Sequence, residues 1–142
     1  MSGPDPEAVR RQVEDWLGVA EIDRLAALAC LATSPPLTTA AAFHCQQAAE
    51  KLLKGFLVHA DVSFGKTHDL RKLGLSVASR FQNLAAVVGV MEEWTIWNSA
   101  YRYPTDAIPE PVPSPDELRR ALAVIDGLAA RLRSLAAGKS DA

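Results

Sequence analysis

The chain has few of the features that mark a specialised chemistry. It has only two cysteines, Cys30 and Cys45, without C-x-x-C spacing, so neither a disulfide framework nor a zinc knuckle is expected and a reducing cytoplasm is the predicted home. Its longest unbroken apolar runs, Leu25–Ala32 and Leu84–Met91, are eight residues each. A membrane-spanning helix needs about 20, so no membrane association is expected. The stretch Met1–Glu7 has neither a basic region nor an apolar core, and no secretory signal is expected. The sequence contains no H-E-x-x-H, no Walker A loop and no G-x-G-x-x-G, and its His, Cys and Asp do not fall at metal-ligand spacing. No cofactor or metal is therefore expected. Nor does either sign of charge dominate, since the net charge is −2, which excludes wholesale coating of a nucleic acid.

What is present is material for a packed interior. At 142 residues and 49% hydrophobic, the chain is predicted to form a single domain, residues 1–142, with its core over about 7–137. Little of it alternates with period two, and most of it repeats with helical spacing. Asp5-Pro6-Glu7 supplies a cap, a first-turn proline and an acid. Behind it Val9, Val13, Trp16, Leu17, Ala20, Leu25, Leu28 and Leu31 run to a stop at Ser34-Pro35-Pro36. A second helix is predicted from Ala40 to about Ala60, and a third capped by Thr67. After a break near 80–83, a fourth is predicted from Leu84 to Pro104. Ser114-Pro115-Asp116-Glu117 is a capping box that starts the last helix. The predicted fold is all-α, an antiparallel four- to five-helix up-and-down bundle. The tryptophan-bearing helix, with Trp94 and Trp97, has more apolar surface than one core stripe uses, which suggests a homodimer.

Two polar residues break the apolar pattern of the second helix. At about 100° per residue, Gln46 and Glu50 fall within the arc that carries Cys45, Ala49, Leu52, Leu53 and Phe56. A buried carboxylate needs a cation or a donor. Lys54 is one turn on, and His68 and Arg102 are the candidates from elsewhere in the chain. The section from His44 to Arg80 has a net charge of +3, leaving −5 for the remainder, so an anionic partner is expected there. Lys51, Lys54, His68 and Arg102 have the chemistry for a phosphate, and Tyr101 and Tyr103 offer stacking faces beside Arg102. His44 and His59 are read as surface residues.

In this arrangement the chain resembles a HEPN domain of the small stand-alone prokaryotic kind. The resemblance rests on Trp16-Leu17 with Ala20 and Asp23, on Phe43 through Lys51 with Lys54 (FHCQQAAEK), on Thr67-His68-Asp69-Leu70, and on Arg102-Tyr103-Pro104. It implies a helical bundle, commonly dimeric, often paired with a minimal nucleotidyltransferase, and associated with nucleotide binding and metal-independent RNA cleavage. The cleaving branches carry an arginine, four to six residues, then a histidine. Here no arginine stands at 37–39, 52–54 or 61–63 to serve His44, His59 or His68, and Lys54 before His59 is the nearest approach. Lysine does not replace the planar bidentate donor. The expectation is thus a nucleotide- or RNA-phosphate-binding module that uses Glu50, Lys51, Lys54, His68, Arg102, Tyr101 and Tyr103, acts as a homodimer with a nucleotidyltransferase partner, and has no catalytic residue assigned. The alternatives are an RNA-cleaving toxin of a toxin–antitoxin pair, with His68 and Arg102 as its working groups, and a purely structural helical interaction protein.

Overall fold

A computed structural model of the protein describes residues 3–97 and 113–139. Five α-helices and no strand are found among the described residues. Helix α1 is Pro6–Ala32, α2 Thr38–His59, α3 Leu70–Arg80, α4 Ala85–Met91 and α5 Pro115–Ala136.

The helix ends follow from local chemistry. The Asp5 carboxylate accepts from the Glu7 amide and starts α1. In α5 the Ser114 hydroxyl accepts from Glu117 N at 3.1 Å, and the Glu117 carboxylate reaches back to Ser114 N at 3.5 Å. The cap of α3 is not Thr67 as predicted. Asp69 accepts from Lys72 N and is the cap, while the Thr67 hydroxyl accepts from Asp69 N and braces the turn before it. The loop between α2 and α3 turns through Gly65 at φ 63°, a left-handed conformation that glycine adopts without strain.

The predicted fourth helix is also different. It is α-helical for only seven residues and then tightens into a 3-10 turn over Glu92–Trp97. Val87, Val88, Gly89 and Val90 are weak helix formers, and Glu92 and Glu93 put negative charge at a helix C-terminus, where the macrodipole opposes it.

Helix α2 is the central element, packed against α1, α3 and α5. Its alanines Ala41, Ala42, Ala48 and Ala49 are fully buried, which lets α1 lie close along its length. Between α2 and α5 the approach is close at Gly55. A Cβ on Gly55 would lie 2.6 Å from Leu132 Cδ2 and 3.4 Å from Trp16 Cβ. Leu52, Leu53, Phe56 and Leu57 meet Leu118, Ile125, Leu128 and Leu132 of α5 in one core, at roughly 1.5–3 kcal/mol for each large side chain buried. Trp94 and Trp97 belong to this core as well. They stack with centroids 5.4 Å apart and are almost wholly buried, so they are spent inside the monomer.

Two leucines of the predicted α1 stripe are not in the core. Leu25 is 53% and Leu28 40% exposed. At about 100° per residue Leu25 projects to the side opposite Val13, Ala20 and Ala27, while Leu28 lies at the edge of their face.

Candidate functional site

The acid at position 50 is held inside the bundle. Glu50 lies mid-helix in α2, 2% exposed, with Gln46 one turn before it fully buried. Two donors answer it. Lys54 Nζ is 3.2 Å from Glu50 Oε2, the favourable one-turn order on a helix. His68, from the loop before α3, sets Nδ1 at 3.2 and 3.3 Å from the two carboxylate oxygens. An ionised carboxylate only accepts, so His68 Nδ1 is the donor in this contact, and Nε2 is the nitrogen left for another partner.

Lys54 is buried to 6% exposure, which is rare for an ammonium. Beyond Glu50 it is stabilised by two ring faces, with Nζ 5.6 Å from the centroid of Trp16 and 5.8 Å from that of Phe64. The rings meet edge to face at 6.1 Å, so α1 and the α2–α3 loop close over the lysine from two sides. His68, by contrast, has a side chain 69% exposed. The cluster runs from a sealed ion pair outward to an imidazole at the surface.

A second carboxylate repeats this arrangement. Asp23 of α1, 7% exposed, accepts from His44 Nδ1 at 2.8 Å through one oxygen and from Lys51 Nζ through the other. Both partners are on α2, so this set ties α1 to α2. His44 is therefore a half-buried hydrogen-bond partner of Asp23 and not the surface residue the sequence suggested. His59 is half-buried too, its ring tilted 6.5 Å from that of Phe81. In the sequence Asp23 was named only as part of the family resemblance. Its place between Ala20 and Ala27 on the buried side of α1 was the available physical signal.

The structure thus brings together Glu50, Lys54 and His68, and separately Lys51 with Asp23 and His44. Tyr101, Arg102 and Tyr103 lie outside the described residues. Gln46 Oε1 accepts from Gln47 Nε2 at 2.7 Å, while the buried Gln46 Nε2 has no partner among the described residues. The Cys45 thiol is pushed up to about 12, chiefly by burial and secondarily by nearby Cys30, so it is an inert core group. Among the described residues no group of three or more His, Cys, Asp and Glu is placed to hold a metal ion. No helix among them is long and apolar enough to cross a membrane.

The chemistry on offer is that of an oriented imidazole on a buried acid. Such a group can bind an anion when protonated, or exchange a proton through Nε2 when neutral. Comparison with curated proteins and with solved structures gives no match. The family model for the HEPN domain matches residues 13–135. That span takes in both carboxylate clusters and nearly all of the five helices, and the chain belongs to the HEPN domain family, a group of nucleotide- and RNA-related helical modules.

Proposed function

We propose that this HEPN domain binds the phosphate of a nucleotide or RNA at the surface headed by His68, as a homodimer and with a minimal nucleotidyltransferase as its protein partner. One observation carries the reading: a buried carboxylate, already neutralised by an equally buried lysine, fixes the Nδ1 side of an imidazole whose ring is otherwise in solvent. The acid orients the imidazole without presenting its own charge at the surface. Exposed Lys66 and Lys72 flank His68 in sequence and add positive potential, and Arg71 is also mainly exposed beside Glu92. In this reading Lys54 holds Glu50, and Lys51 holds Asp23. Arg102, Tyr101 and Tyr103 enter on their sequence chemistry alone, as a bidentate donor and two stacking faces.

Calorimetric titration with ATP, GTP and short RNA tests this. Binding is expected, and His68→Ala is expected to weaken it about tenfold or more, the worth of one hydrogen bond to a charged group. Since His68 is mostly exposed, the variant keeps its fold. Absence of heat at millimolar ligand with folded protein would contradict the proposal.

The same Glu50–His68 pair favours one second reading, RNA cleavage with His68 Nε2 accepting the 2′-hydroxyl proton and Arg102 stabilising the phosphorane. Growth arrest on expression, lost in both His68→Ala and Arg102→Ala, supports it. RNA left intact across substrates and pH refutes it.

A further inference from the structure

Helix α1 carries an apolar seam on the side turned away from the bundle. Ile22 is 68% and Leu25 53% exposed, and Gly18 and Ala29 are exposed on the same side. The four are spaced by four, three and four residues, the repeat that lines a helix–helix seam. Among the described residues nothing covers them. Gly18 is the odd member, because a glycine inside a helix costs about 1 kcal/mol against alanine, and a Cβ there would meet nothing within 4 Å. Intrachain packing therefore does not require the glycine.

The order small, large, large, small is symmetric about the point between Asp23 and Arg24. We infer that α1 pairs antiparallel with α1 of a second copy of this chain, across a two-fold axis at that point. Ile22 then lies opposite Leu25 of the second copy and Gly18 opposite its Ala29, each contact occurring twice, as an isologous interface demands. The small pair at each end lets the helix backbones approach. The charge pattern agrees. Glu14, Asp15 and Glu21 fall opposite Thr33, Ala32 and Ala26 of the second copy, and no charged or histidine residue occurs from Leu25 to Phe43, so like charges do not meet. An unrelated partner would have no need of this palindrome.

The inference names a surface for the homodimer of the proposed function and is independent of the phosphate site. It also moves that surface away from the tryptophan-bearing segment, whose Trp94 and Trp97 are already buried.

Sedimentation or light scattering of the full chain at micromolar concentration provides the test. The wild type is expected to be a dimer. Ile22→Glu with Leu25→Glu sets acid against acid at both contacts and is expected to weaken the dimer about a hundredfold, with helicity and melting temperature kept because both sites are exposed. Ile22→Lys with Leu25→Glu sets a cation against an anion of the second copy in the antiparallel register and is expected to restore dimerisation. A monomeric wild type overturns the inference together with the dimer in the functional reading. A dimer that survives the double-acid variant overturns the seam alone and leaves dimerisation to another face. A charge-swapped variant that stays monomeric overturns the antiparallel register.

Discussion

Removing both charges of the Glu50–Lys54 pair should destabilise the protein by clearly less than the two single removals added together. The two side chains are 3% and 7% exposed, so a lone charge left behind cannot rehydrate without opening the bundle. Breaking such a pair from one side costs about 3–5 kcal/mol. Glu50→Gln is expected near the lower end, about 3 kcal/mol, because the amide still accepts a hydrogen bond and the Trp16 and Phe64 faces hold the ammonium with up to about 2 kcal/mol. Lys54→Met should cost about 2–3 kcal/mol, reduced by His68, whose Nδ1–H still donates to the carboxylate. The double variant places two neutral side chains in the same space, and its cost should fall short of the sum by about 2 kcal/mol. Equilibrium urea unfolding followed by circular dichroism reads all three, and Glu50→Gln should also lower the melting temperature by about 10 °C. Single costs below about 1 kcal/mol, or additivity within about 0.5 kcal/mol, would show that the pair is not buried and coupled, and the reasoning would fail.

Two further outcomes test the packing. Gly55→Ala puts a methyl 2.6 Å from Leu132 Cδ2 and should cost about 1–3 kcal/mol by overpacking, read in the same urea assay. Native Cys45 should resist iodoacetamide under conditions that alkylate Cys30, its thiol being fully buried and pushed up to about 12. Between the ordinary thiol value of 9.0 and about 12 the unfolded chain is ionised while the folded one is not, so this group lowers stability as pH rises through that window. Mass spectrometry of the alkylated peptides and unfolding at two alkaline pH values check both statements.

The parts of this molecule that could be read from sequence are those in which one local interaction dominates. The box Ser114–Glu117 and the Asp5-Pro6-Glu7 start appear as predicted because capping is settled within four residues. Glu50 was legible because a helical wheel shows a carboxylate among Cys45, Ala49 and Leu53, and physics then requires a partner. The same logic applied to Ala20, Asp23 and Ala27 points to Asp23, and His44 follows from it. Thr67 was expected to cap α3, but Asp69, two positions on, is the residue whose carboxylate meets the Lys72 amide that the turn presents. What was not legible is the enclosure of Lys54. Trp16 and Phe64 come from a helix 38 residues before it and a loop ten residues after it, and no periodicity relates a loop phenylalanine to a helix lysine. Leu25 illustrates the converse, since a leucine at roughly helical spacing fits a buried stripe and an outward seam alike, and only the placement of α2 and α5 decides.

If Glu50 orients His68 for a phosphate, the imidazole nitrogen chemical shifts of the folded protein will report it. Nδ1 of His68 should carry its proton against Glu50, and added nucleotide or RNA should shift Nε2 of His68. In Glu50→Gln that response should weaken while the ring remains exposed. If the His68 nitrogens do not respond to ligand, or respond identically in Glu50→Gln, the buried acid has no part in binding and the proposed site is wrong.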